Sequence, residues 1–401
     1  MKHYSAIFIL LVLMSCNKHE TNHQNDFETL KDSLKTIYAP DKRVEVFDIN
    51  LNKKDKTLTV SGETTNPEVV SVFNDKITPL IDKSGTFIVD YNIDLLPNKT
   101  VGETKYAVVN NSVANIRSKP KHSAELATQA ILGTVLKVLK IDGDFYLIQT
   151  PDRYISWVDH GGVTLMTDAE LNTWQAAPKI IYTQTFGHAY ASENANAPIV
   201  SDLVLGAQLA LLETGKNFYK IAYPDKRVGF INKKEAVRYS HWIKTVEPSG
   251  DLIEDTAKHF VGSPYLWGGT STKGMDCSGF TKTVYLMNGF VIPRDASQQI
   301  NAGEIVDSNL TFENLQKGDL LFFGKKATDS TKQRTTHVGI WLGNEKNEFI
   351  HAASQVRINS INEEADNYDA FNKNRYLGAR RYLGVEDDLI IDLKKHTTLK
   401  L

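Results

Sequence analysis

The sequence predicts a multidomain α+β chain, and three observations carry that prediction. The spacing of apolar residues changes from helical to strand-like several times along 401 residues. A block of short alternating strands occurs twice at an offset of 73 residues. The last third opens with helical spacing and then turns to strands that carry histidines.

The apolar fraction is 41% and the charged fraction 23%, so most of the chain is expected to fold. The net charge is -2 with no long basic run, which argues against nucleic acid as a partner. There are two cysteines, Cys16 and Cys277, in contexts too different for a disulfide framework.

Ala6 through Met14 is an unbroken apolar run. It is too short to span a bilayer and fits the core of an export signal over residues 1–15. It ends Leu13-Met14-Ser15-Cys16, which resembles a bacterial lipobox. The resemblance implies cleavage before Cys16 and a lipid on its thiol; the alternative is an ordinary signal in which Cys16 is incidental. Residues 17–26 carry no apolar side chain, so 16–26 reads as a tether. The expected setting is the envelope of a Gram-negative bacterium, with the protein anchored to the inner or outer membrane by lipid and facing the periplasm or the cell surface. A monomer is expected.

Residues 27–104 read as a small α+β region. Phe27, Leu30, Leu34, Ile37 and Tyr38 have helical spacing, and Pro40 stops that helix. Strands are expected over 44–51, 57–62, 69–73 and 86–91, between Asn, Asp, Lys and Gly turns. No chemical constellation stands out, so packing or docking is the expected role.

Two small β-barrels follow, at 105–175 and 178–246. Residues 130–157 align with 203–230 without a gap, pairing Gly133 with Gly206, Phe145 with Phe218, Pro151 with Pro224 and Trp157 with Phe230. Both copies resemble bacterial SH3-like domains, the first more strongly, through Ala114-Asn115-Ile116-Arg117-Ser118-Lys119-Pro120 and Tyr154-Ile155-Ser156-Trp157. Core residues should recur in both copies, so residues found in one alone are better site candidates. Tyr154 faces Arg227, and the stretch 119–129, with Glu125 inside it, shows no clear counterpart.

Residues 247–385 change character again, and 386–401 read as a charged tail. Helices are expected over 253–261 and 277–288, then strands over 319–323, 337–342, 349–352 and 380–383. A helix headed by a cysteine, followed by antiparallel strands with histidines, is the order of a papain-like core. The polar stretch 324–336 reads as a surface loop or a mobile rim of the cleft.

Cys277 lies between Asp276 and Ser278 at the start of its helix. A thiol attacks as thiolate, and a helix N-terminus or a nearby imidazole lowers its pKa. His337 is the candidate base, on a strand whose alternation puts His337, Gly339 and Trp341 on one face. His351 on a neighbouring strand is the candidate for orienting it. Alternatives stay open. The thiol could be an inert buried hydrophobe, although Asp276, Ser278 and the nearby glycines argue otherwise. The histidines could be satisfied core residues. A zinc site is a further alternative that lacks paired Cys-x-x-Cys or His-x-x-x-His spacing. No metal or cofactor is expected.

Residues 253 to about 383 resemble the NlpC-type cysteine peptidases, which cut peptidoglycan stem peptides. The resemblance rests on Pro264-Tyr265-Leu266-Trp267-Gly268-Gly269, Asp276-Cys277-Ser278-Gly279-Phe280, Pro293-Arg294-Asp295, Lys317-Gly318-Asp319-Leu320 and Thr336-His337-Val338-Gly339-Ile340. It implies Cys277 as nucleophile, His337 as base, His351 as the third member, and Tyr265 as an oxyanion donor beside the Cys277 N–H.

With two SH3-like domains ahead of that core, the chain resembles the dipeptidyl-peptidase VI type, γ-D-glutamyl-L-diamino-acid endopeptidases of cell-wall peptide recycling. This implies that the first barrel packs on the catalytic domain. It also implies that Glu125, Tyr154, Asp276 and Ser278 receive the free ammonium of an N-terminal L-alanine, so that L-Ala-γ-D-Glu is released. Arg294 suits the D-glutamyl carboxylate, or a salt bridge with Asp295. Rival readings are an endopeptidase on intact peptidoglycan and a non-catalytic wall-binding lipoprotein.

Overall fold

The structure, a computed structural model, describes residues 10–82 and 85–395, with side chains from residue 23 onward. Residues 1–9 of the expected signal and the Cys16 side chain lie outside the described residues. Among the described residues no helix is long and apolar enough to cross a membrane. The chain divides into two compact units, Met1–Gly102 and Glu103–Leu401.

The first unit holds α1 (Leu10–Tyr38), β1 (Phe47–Lys54), β2 (Thr57–Thr64), α2 (Pro67–Ile81) and β3 (Ile88–Leu95). Helix α1 runs through the stretch expected as a tether. The strand expected over 69–73 is instead part of α2. Val69, Phe73, Ile77 and Ile81 recur every four residues and are all buried. Asn66 caps the helix by accepting from the Glu68 N–H at 2.9 Å, and Pro67 follows it. Topology gives the reason: β2 and β3 pair in parallel, so a crossover element must join them.

The second unit opens with the two barrels. The first has strands Tyr106–Val109, Val113–Arg117, Leu126–Ile131, Val135–Asp142, Phe145–Gln149, Ile155–Asp159 and Val163–Met166. Those of the second begin at Lys179, Phe186, Ile199, Gln208, Phe218, Val228 and Ala236, each 73 residues after its counterpart. Both sheets run in the order seventh, first, fourth, fifth, sixth, second, third. The repeat therefore extends beyond the stretch legible in sequence. The segment 119–129 does have a counterpart, residues 192–202, and Pro198 stands where the first copy has Glu125.

Both barrels grip the turn just ahead of Cys277 through equivalent positions. In the first, the Gln129 side chain accepts from the Thr270 N–H at 3.0 Å, and Lys273 donates to the Ser112 hydroxyl at 2.8 Å. In the second, Asp202 pairs with Lys273, and the Thr185 carbonyl accepts from the Thr272 hydroxyl. Gln129 and Asp202 are repeat partners, as are Ser112 and Thr185.

The domain that carries Cys277 follows as α3 (Gly250–Lys258), α4 (Cys277–Met287), β4 (Glu304–Ile305), β5 (Leu320–Lys325), β6 (Arg334–Trp341), β7 (Glu348–Ala352), β8 (Val356–Ser360) and β9 (Tyr376–Arg381). The strands form one antiparallel sheet in the order β4-β9-β5-β6-β7-β8. One face, with Val338, Ile340 and Ile350, packs on Phe280 and Val284 of α4. The stretch 324–336 is the exposed tip of the β5–β6 hairpin, with Lys325 paired to Arg334 and Thr328 bridged to Thr331. The expected tail is folded as far as it is described: Ile391–Asp392 pairs with Phe290–Val291, and Ile390 and Leu393 are buried.

Candidate active site

Asp276 organises the start of α4. Its carboxylate accepts from the Gly279 N–H at 2.7 Å and the Gly268 N–H at 2.9 Å, tying the loop 264–269 onto the first helical turn. Two glycines permit this. A Cβ on Gly279 would lie 2.0 Å from the Gly269 oxygen, and one on Gly268 (φ +77) would lie 2.3 Å from the Leu126 oxygen of the first barrel.

Arg294 balances the Asp276 charge. Its two terminal nitrogens reach the two carboxylate oxygens at 3.1 and 2.7 Å, while Nε donates to Thr128 of the first barrel at 2.8 Å. It also donates to the Ser278 hydroxyl at 2.9 Å. Arg294 is 1% exposed. Buried and directed at Asp276, it holds the helix start and the first barrel together. The alternative bridge to Asp295 is the longer of the two, at 3.9 Å.

The Cys277 thiol is buried, and its pKa is pushed up to about 12, first by burial and then by the Asp276 charge. The backbone N–H groups of Val338 and Ser278 and the Arg294 charge pull the other way without prevailing. The lowering expected from the helix terminus is therefore outweighed by desolvation.

His337 and His351 meet just beyond the last paired residues of β6 and β7, Ile340 and Ile350. His337 Nε2 lies 2.7 Å from His351 Nδ1. Gly339 makes room, because a Cβ there would stand 3.1 Å from the His351 Cβ. Burial holds His337 well below the usual imidazole value, helped by His351, Arg375 and Arg357. His351 is lowered to about 4, mainly by burial. Both rings are therefore neutral at ordinary pH.

Tyr265 is half-buried, and burial, together with the charges at Cys277 and Asp276, raises its pKa. Its hydroxyl keeps its proton and remains a donor.

Of the four groups expected around an ammonium, Glu125 is exposed and Tyr154 half-buried, while Asp276 and Ser278 are 7% and 5% exposed. Glu125 accepts from the Trp267 indole N–H at 2.8 Å, two residues from Tyr265. Among the described residues no cation pairs with it. The Tyr154 phenol lies within electrostatic reach of Arg294. The first barrel is thus bonded to the loop that leads to Cys277, and a Lys282–Asp152 ion pair at 2.6 Å ties it further to the domain that carries the thiol. Among the described residues no cluster of three or more His, Cys, Asp or Glu is placed to hold a metal.

Residues 262–381 match the NlpC/P60 family, and residues 116–162 match the bacterial dipeptidyl-peptidase Sh3 domain. A γ-D-glutamyl-L-lysine dipeptidyl-peptidase of Bacillus cereus is 30% identical over 278 residues, which are 65% of this chain and 76% of the relative. The chain belongs to the NlpC/P60 family. Dipeptidyl-peptidase 6 of Lysinibacillus sphaericus is 27% identical over 64% of this chain and 92% of its own length. The crystal structure of an NlpC/P60 family protein from Bacillus cereus superposes with a TM-score of 0.59 at 27% identity, covering 69% of this chain and 99% of that one. The chain is thus a cysteine peptidase with an SH3-like domain of the dipeptidyl-peptidase kind.

In this NlpC/P60 site, several residues stand outside any motif singled out in the sequence. Asn359 on β8 lies 2.9 Å from His351 Nε2. Arg375 donates to Thr336 at 3.0 Å, beside His337, and senses the charge of Cys277. Thr128 and Gln129 of the first barrel, inside the stretch 119–129 set apart by the repeat but not named there, bond to Arg294 and to the loop before Cys277. Their short motifs carry no pattern of their own; the sheet register and the barrel docking bring them in.

Proposed function

We propose that this peptidase hydrolyses the γ-D-glutamyl–diamino-acid bond of peptidoglycan stem peptides whose N-terminal L-alanine has a free amine, releasing L-Ala-γ-D-Glu. The observation that carries the reading is Glu125. Asp276 has its charge matched by Arg294, whereas Glu125, fixed on Trp267 two residues from Tyr265, pairs with no cation among the described residues. An ammonium entering beside Tyr265 meets that carboxylate. An N-acylated alanine, as in intact wall, brings no cation to it. The Bacillus cereus relative is named for a γ-D-glutamyl-L-lysine bond, and the Lysinibacillus sphaericus relative is named as a dipeptidyl-peptidase, in keeping with this reading.

In this reading Cys277 is the nucleophile and His337 the base. Both are neutral at rest, so the thiol proton passes to His337 Nδ1 as the sulfur attacks the γ-carbonyl carbon. The oxyanion meets the Cys277 N–H and the Tyr265 hydroxyl. Collapse expels the diamino-acid amine, which takes the proton from His337 and leaves a thioester. Water, deprotonated by His337, then releases the dipeptide acid and restores the thiol. The apolar run at 6–14 and Cys16 support an exported, lipid-anchored chain acting in the cell envelope.

The test is product analysis by mass spectrometry on L-Ala-γ-D-Glu-diaminopimelate and its N-acetylated twin, with wild type, Glu125→Ala and Cys277→Ala. Release of L-Ala-γ-D-Glu from the free-amine peptide alone, weakened by Glu125→Ala and abolished by Cys277→Ala, is expected. Equal cleavage of both peptides identifies an endopeptidase of intact wall and removes Glu125 from the site. Activity in Cys277→Ala overturns the thiol mechanism.

A further inference from the structure

We propose that Asn359 is a positioning residue that sets the tautomers of both histidines and so leaves His337 Nδ1 bare for the thiol proton. The inference rests on the reading of Cys277 and His337 given above. It starts at a group with no choice of role. The Asn367 carbonyl can only accept, and it accepts from the Asn359 Nδ2–H at 2.9 Å. The Asn359 amide is therefore turned so that Oδ1 faces His351 Nε2 at 2.9 Å. The reverse orientation would set two oxygens against each other.

The rest follows by elimination. Asn359 Oδ1 has no proton, so His351 must carry one on Nε2. Neutral His351 then has a bare Nδ1, which accepts from the Nε2–H of His337 across 2.7 Å. Neutral His337, its one proton on Nε2, has a bare Nδ1. With the tautomers reversed, His337 would present an N–H to the thiol and could not take its proton. After transfer, the His337 Nε2–H still donates to His351, so the imidazolium forms without any side chain turning.

The anchor is itself held. The Asn367 carbonyl also accepts from the Ser360 N–H at 3.0 Å, and the Asn367 amide donates to Glu348 at 3.0 Å. Asn359 shares β8 with Arg357, which stands opposite His351. The charged groups acting on His351 are Arg357 on its own sheet, Arg375 ahead of β9 and Asp369 ahead of the short helix 370–374.

The experiment compares wild type, Asn359→Leu and Asn359→Asp, with His337→Gln and His351→Gln to assign signals. Selective ¹⁵N-histidine labelling reads the tautomers directly in the resting protein. Wild type is expected to show His351 and His337 each as the single Nε2–H tautomer. Asn359→Leu should fold, show mixed tautomers at His351 and lose roughly 10- to 100-fold in kcat with little change in KM, the range seen when partners that orient a functional imidazole are removed. Asn359→Asp keeps the acceptor for His351 while setting its second oxygen against the Asn367 carbonyl, so it should retain the tautomers and recover part of the rate. Its added negative charge should move the acid limb of the pH profile upward. A folded Asn359→Leu with wild-type tautomers and wild-type kcat overturns the proposal. Equal loss in Leu and Asp variants, with tautomers unchanged, also overturns it and leaves Asn359 a structural residue. Failure of the thiol reading shows separately, as activity surviving in Cys277→Ala.

Discussion

Trp267 donates its indole N–H to Glu125 at 2.8 Å, so a residue of the first barrel is bonded into the loop that leads to Cys277. The bond fixes where the carboxylate points. Glu125→Gln keeps an acceptor for Trp267 and removes only the charge. Turnover of the free-amine tripeptide is expected to fall about 10- to 100-fold in kcat/KM, the range for losing a charged hydrogen-bond partner. The melting temperature should hardly move. An unchanged kcat/KM argues that no cation binds there.

Gly339 lies against His351 and Phe349. In Gly339→Ala the new methyl would press on the His351 Cβ and Phe349 Cδ2, each 3.1 Å away. Overpacking of this kind costs about 1–3 kcal/mol. His351 is expected to shift, lowering kcat at least tenfold while KM holds. A variant with wild-type kcat would show that the His337–His351 distance does not limit the rate.

Arg294→Met leaves the Asp276 carboxylate buried without its cation. Removing one partner of a buried pair costs about 3–5 kcal/mol. Denaturant unfolding should show that loss, and activity should fall with it because Asp276 caps the helix that begins at Cys277. Arg294→Met with Asp276→Asn should recover part of the stability. No recovery would mean that Arg294 acts chiefly through Thr128 and Ser278.

The buried histidines make stability depend on pH. His351 is lowered from 6.5 to about 4 in the folded state, so the unfolded chain binds its proton first as pH falls. The contribution is fully present above about pH 6.5 and is lost as pH drops toward the folded value; a shift of this size is worth roughly 3 kcal/mol. His337, also lowered, acts in the same direction. Unfolding midpoints at pH 7 and pH 4.5 should differ less in His351→Gln than in wild type. An equal difference would place the pH sensitivity elsewhere.

Local chemistry was legible because it is written in short motifs. The pairing of Asp276 with Cys277 at a helix start, and of Thr336 with His337 on a strand, needs only neighbouring residues. The strand misread at 69–73 shows the limit. Val69 and Val70 favour a strand locally, yet the parallel pairing of β2 with β3 demands a crossover, and the four-residue spacing from Val69 to Ile81 supplies it. Likewise the Glu125 segment looked unmatched until the strand order showed residues 192–202 in its place.

By itself the sequence determined the thiol, its helix, the two histidines on strands and the doubled barrel, since period and motif are local properties. Only the tertiary structure decided the rest. Burial outweighs the helix terminus at Cys277, because desolvation depends on everything packed around the sulfur. Arg294 turns inward to Asp276 and Thr128, because the first barrel closes over it. Asn359 reaches His351 through the register of β7 against β8, a relation between strands that no single segment encodes.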